Sequence, residues 1–110
     1  MDFGSYLRQL REQRSLRQTD IAEILGVSAV YICDIEKGRR NPLDHNKIAI
    51  LARRMEMSED EVSQLFDLAG VARGSVAPDI SDYLEKNPSA KDAIRRIVSR
   101  GISFDWNRIP

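Results

Sequence analysis

The chain holds one cysteine and one histidine in 110 residues. A single thiol closes no intramolecular disulfide, so a reducing, cytoplasmic compartment is expected. With Cys33 and His45 as the sole ligands of their kinds, no metal site is expected, and no cofactor. Apolar runs near the ~20 residues of a membrane span are missing. So are the basic and apolar regions of a signal peptide, since the chain opens Met1-Asp2-Phe3-Gly4. No Ser–His–Asp set, glycine-rich phosphate loop or zinc spacing occurs, which argues against an enzyme. Glu59-Asp60-Glu61 resembles an acid cluster, but carboxylates in a first helical turn are simply favoured by the helix dipole. Charge of one sign is lacking too, because 17 Lys and Arg balance 17 Asp and Glu. That balance speaks mildly against nucleic acid, whose partners are mostly basic. The distribution is more informative: residues 1–57 hold ten basic and eight acidic side chains, and the tightest cluster is Lys37-Gly38-Arg39-Arg40.

What is present is helical periodicity, in a length that suits a modest all-α core. Phe3, Tyr6, Leu7 and Leu10 recur at helical spacing behind Asp2, a good N-cap, and predict a helix to about Arg14. Gln18–Leu25 forms a short second helix, with Gly26 suited to its end. Ser28 caps a third over Ala29–Glu36, stopped by Gly38. Asp44 caps a fourth bearing Ile48, Leu51, Ala52 and Met55. Ser58 to Glu61 is a capping box for a fifth, expected to end at Gly70. Val71–Pro78 is expected to be a linker, and Ile80–Lys86 a short helix. Asn87-Pro88 starts a last helix to about Arg100, as N-cap and N1 proline. The tail carries Phe104 and Trp106 without a period.

The most specific pattern spans Gln18 to Ile35. Two short helices meeting near a right angle need a small residue at their approach, here Ala22. The turn needs a residue tolerant of positive φ, here Gly26. The wedge needs apolar filling, here Ile21, Leu25, Val27, Ile32 and Ile35. Leu10-Arg11, Ile35-Glu36-Lys37-Gly38 and Arg40-Asn41-Pro42 extend the pattern. With these residues the chain resembles the phage-repressor (lambda-repressor- and Cro-like) helix-turn-helix family over about residues 3–70.

The resemblance implies an all-α, five-helix domain over 1–70, with a helical extension over 71–110 for dimerisation or partner binding. It implies a sequence-specific regulator of transcription, a repressor that binds double-stranded operator DNA as a homodimer, with the third helix in the major groove. Ala29, Val30, Tyr31 and Asp34 would face base edges. Arg17, Gln18, Ser28, Lys37, Arg39, Arg40 and Asn41 would hold the DNA backbone. Arg11 and Glu36 would form an ion pair inside the domain. The sequence departs from the family at Arg17, where Ser or Thr usually caps the second helix, and at Ser15, where Gly is frequent. One residue is inserted between Pro42 and Met55. The reading face is also poor in hydrogen-bond donors, although Ala and Val suit thymine methyls and Asp suits cytosine N4.

Residues 71–110 hold more apolar side chains than two short helices can bury between themselves. Ile94, Ile97, Val98 and Trp106 are the candidate dimer contacts. The rival reading, from another class, is an antitoxin-like or other protein-interaction module that uses this extension.

Overall fold

The structure is a computed structural model that describes residues 1–101 and 106–108. Phe104 lies outside the described residues. Among those described, all regular structure is helical: α1 (Phe3–Gln13), α2 (Gln18–Leu25), α3 (Ala29–Glu36), α4 (His45–Arg54), α5 (Glu59–Arg73), α6 (Pro78–Lys86), α7 (Pro88–Arg100) and a 3-10 turn (Trp106–Arg108). The chain divides into two compact units, Met1–Asp79 and Ile80–Pro110. No described helix is long and apolar enough to cross a membrane.

In the first unit, the sequence periodicity becomes one core. Leu7 and Leu10 of α1, Ile21 of α2, and Ile32 and Ile35 of α3 are buried with Ile48 and Leu51 of α4 and Leu65 of α5. Full burial of such a side chain contributes about 1.5–3 kcal/mol. The caps form as expected. Asp2 accepts from the Ser5 amide at 2.8 Å, Ser28 from Tyr31 at 3.1 Å, and Asp44 from Lys47 at 2.9 Å. Ser58 accepts from Glu61 N–H at 3.2 Å while Glu61 accepts from Ser58 N–H at 2.9 Å. The His45 ring stands edge-on to Phe66 at 5.2 Å.

Helix α5 runs past Gly70 to Arg73, which corrects the expected stop. Gly70 is buried within the helix because the chain folds back against it. A Cβ there would lie 2.7 Å from the Ala77 amide nitrogen and 2.9 Å from its Cα. The glycine serves a close backbone approach, and Gly74, at φ +66°, ends the helix instead. The expected linker shrinks accordingly, and α6 begins at Pro78 rather than Ile80.

Gly4 has the same role at α1. A Cβ on it would overlap the carbonyls of Ile35 and Glu36, so the first turn of α1 lies directly on the last turn of α3.

The second unit differs in kind, for neither α6 nor α7 has a buried residue. Asn87 was expected to cap α7, but its side chain makes no capping bond there. It donates from Nδ2 to the Tyr83 carbonyl at 2.7 Å, closing the end of α6.

Candidate nucleic-acid interface

The interface is built on the joint between α2 and α3. Gly26 takes φ +68°, a left-handed conformation that an L side chain adopts only at a cost. The reversal lets Val27 N–H donate to the Ala22 carbonyl at 3.0 Å. Ser28 then starts α3 in a new direction. Ile32 and Ile35 pin one face of α3 to the core. The opposite side is turned outward, with Val30 69% exposed. An apolar side chain so exposed on a helix anchored this firmly is available to a partner.

A three-residue network fixes α3 to the helices before it. Arg11 grips Glu36 with two charge-assisted hydrogen bonds, Nε to Oε2 and Nη2 to Oε1, both 2.8 Å. A third arm of Arg11 reaches the Leu16 carbonyl at 3.1 Å. The Glu36 side chain is 3% exposed. Its hydrogen bond raises the Arg11 pKa, against the opposing effect of burial. Gln18 Nε2 also donates to Glu36, at 3.0 Å. Gln18 was expected on a phosphate, and here its amide nitrogen is engaged with this carboxylate.

Eight of the eleven residues expected at the DNA divide between two depressions beside α3, and Ser28, Val30 and Asp34 line neither. Ala29 lines a groove of about 700 Å³ with Arg17, Gln18, Thr19, Cys33 and Lys37. Tyr31 lines a second depression of about 500 Å³ with Arg39, Arg40 and Asn41. Ser28, Lys37, Arg39, Arg40 and Asn41 are all exposed. Arg17 occupies the N-cap of α2 without accepting a capping bond, since a guanidinium cannot accept. Asp20 supplies half of the usual exchange, accepting from Arg17 N–H at 2.8 Å. Its carboxylate also meets the Arg17 guanidinium at 3.2 Å, and that contact comes first in holding the Asp20 pKa below the usual carboxylate range.

Asp34, expected at base edges, has its two oxygens facing Arg39 at 3.7 Å and Arg40 at 3.6 Å. Arg40 also lies over the Tyr31 ring, 5.3 Å from its centre. The acid that would repel phosphate is thus matched by the cations beside it. Ile94, Val98 and Trp106 of the second unit are exposed and Ile97 is half-buried.

Sequence reasoning missed three contributors. Lys47 and Arg73 line the second depression, and Arg73 also donates to the Pro42 carbonyl at 2.7 Å. Arg73 was hidden by the early stop assigned to α5. Arg14 ties three elements together, donating to the Met55 carbonyl at 2.7 Å, the Leu10 carbonyl at 3.1 Å and Glu61 at 2.8 Å. Only its position at the end of α1 hinted at such a role.

A family model described as a helix-turn-helix domain matches residues 2–77. Over 36 residues, 33% of this chain and 28% of the relative, the sequence is 50% identical to the HTH-type transcriptional regulator DdrOP3 of Deinococcus deserti. Over 50 residues, 44% of this chain and 56% of the relative, it is 40% identical to the ImmF control region 10 kDa protein of Bacillus phage phi105. The chain thus spans between about a quarter and about half of the length of these curated relatives. No solved structure gives a significant match. The family match covers the whole α2–turn–α3 geometry and the Arg11–Glu36 network around it, and the chain belongs to the helix-turn-helix family that its residues resemble.

Proposed function

We propose that the chain binds double-stranded operator DNA as a homodimer and represses transcription. The carrying observation is α3 itself. Its inner face is locked to the core, its outer face shows Val30, and the basic residues Lys37, Arg39 and Arg40 follow directly. A helix so presented fits a major groove, and flanking cations meet phosphates on either side. The names of the relatives, a transcriptional regulator and a phage control-region protein, support the same reading.

In this reading α1 to α5 of the first unit form a five-helix DNA-binding domain, which runs past the expected residue 70 to the end of α5 at Arg73. Ala29, Val30 and Tyr31 face base edges, where apolar groups suit thymine methyls. Arg17, Gln18, Ser28, Lys37, Arg39, Arg40 and Asn41 contact the backbone. Asp34 holds Arg39 and Arg40 until phosphate replaces it. Repression follows from occupying the operator in the cytoplasm, with no catalytic step. Two-fold symmetry doubles a contact set that is too small in one copy for operator affinity.

A salt titration of duplex binding tests the assignment. Replacing Arg39 and Arg40 together by Ala should flatten the slope of log affinity against log salt by about two. An unchanged slope refutes both phosphate roles. Operator fragments selected by the purified protein would give the sequence that is read.

One observation favours a second reading, a module that binds another protein through the extension. Tyr83 and Val98 are 59% and 74% exposed in helices with no buried residue. Co-purification of a stoichiometric, unrelated small protein would support it.

A further inference from the structure

Two physical effects disfavour a carboxylate at Asp34. It lies in the last turn of α3, where the helix dipole opposes negative charge. It also lies on the helix assigned to the groove, where phosphates repel it. Yet the chain is folded to give it partners. Gly38 takes φ +75°, and the reversal brings the Arg39 amide back to donate to the Asp34 carbonyl at 2.8 Å. The same turn sets two guanidinium groups against the Asp34 carboxylate, Arg39 Nη1 at 3.7 Å and Arg40 Nε at 3.6 Å. The Tyr31 ring, one turn earlier on α3, lies under Arg40.

These contacts are built to be exchanged. Both are longer than a hydrogen bond, and both arginine side chains are exposed. Exposed ion pairs of this kind are weak. A phosphate binds a guanidinium better, through two parallel hydrogen bonds. The carboxylate cannot follow the arginines, because Ile32 and Ile35 pin its helix to the core. When phosphates take Arg39 and Arg40, Asp34 is left beside the DNA without a cation. A hydrogen-bond donor on a base edge then restores a partner. In the major groove cytosine offers its N4 amino group, whereas the adenine amino group stands next to the N7 acceptor, which repels an acid.

We propose that Asp34 determines specificity by competing with phosphate for Arg39 and Arg40. It weakens binding to DNA in general, and it gives up both arginines at little cost only where a cytosine amino group donates to it. This rests on the DNA-binding reading above and assigns the acid a role within it.

Asp34→Asn and Asp34→Ala in the full chain test the competition. Each protein selects duplexes from a random pool. Fluorescence anisotropy then gives affinities for the operator chosen by the unaltered chain and for a scrambled duplex. The unaltered chain should select a cytosine that both variants lose. Both variants should bind the scrambled duplex about tenfold more tightly and gain little on the operator, so that the ratio between the two falls. With Arg39 and Arg40 already replaced by Ala, Asp34→Ala should tighten scrambled binding by no more than about twofold, because no arginine is left to release. An undiminished gain in that background reflects charge repulsion alone and overturns the competition. The same preferred sequence from all three proteins, equal gains on both duplexes, or no gain on the scrambled one overturns the proposal as well. If the unaltered chain binds neither pool nor scrambled duplex at low salt, the DNA-binding reading fails and takes the proposal with it. Two substitutions are used so that loss of the fold in one, seen by circular dichroism, leaves the other to decide.

Discussion

Ser15 adopts φ +55°, in the left-handed region, at the exposed turn after α1. That conformation costs a residue with a Cβ about 1–2 kcal/mol, and glycine avoids it while losing more chain entropy on folding. Ser15→Gly should therefore raise unfolding stability by about 0.5–1 kcal/mol, measurable by urea denaturation. Destabilisation would show that the serine gains something its surroundings do not reveal. Glu36 is the opposite case, a residue whose loss strands its partners. Glu36→Ala leaves Arg11 without its carboxylate in a half-buried site and should cost about 3–5 kcal/mol. Removing the pair together, as Arg11→Met with Glu36→Leu, should cost clearly less, because no charge is then orphaned. Equal losses from the single and double changes would refute the coupling. Both residues stood out in the sequence, Ser15 as a departure from the family and Arg11 with Glu36 as a pair. Asp34 did not reveal itself in this way. Its contact with Arg39 and Arg40 depends on how the chain turns after Gly38, and that turn carries no pattern that sequence reasoning can use.

At the scale of the element, the caps made most boundaries legible. Ser28, Asp44 and Ser58 each mark a helix start because their side-chain oxygens satisfy an amide of the first turn. Glycine was ambiguous. Gly26 and Gly70 look alike in a sequence, both following an apolar stripe. One ends a helix through a positive φ, and the other lies within a helix to admit a neighbouring segment. A contact between residues 70 and 77 is tertiary, so no local pattern shows it. The difference has a measurable sign. In a free helix, Gly→Ala is stabilising by about 1 kcal/mol. Gly70→Ala should instead lower the melting temperature, since the new methyl meets the backbone of Ala77. A rise in melting temperature would show that the 74–79 segment yields freely.

Across the whole molecule, several carboxylates share one response to acid. Glu61 is held below its ordinary pKa by the Ser58 amide and then by Arg14, and Asp44 by the Lys47 amide. A carboxyl with a lowered folded pKa stabilises the fold above its unfolded value, and that contribution fades as pH falls through the folded one. The melting temperature should hold steady above about pH 5 and fall as pH drops below 4.5, the ordinary value for Glu61. Glu61→Gln should lower the plateau and make the acid-side decline shallower. An unaltered decline would remove Glu61 from the account. The two units also differ in how far the sequence described them. The first was legible because its apolar residues all find one core. The second was not, since neither α6 nor α7 has a buried residue to mark an inner face.

The close seating of α1 on α3 has a practical consequence. Asp2, Phe3 and Gly4 share a recess with Arg39, Arg40 and Asn41, next to the residues assigned to phosphate. Anything fused ahead of Met1 would emerge beside the nucleic acid. A polyhistidine leader there would add its own attraction to DNA and blur the salt dependence on which the arginine roles are judged.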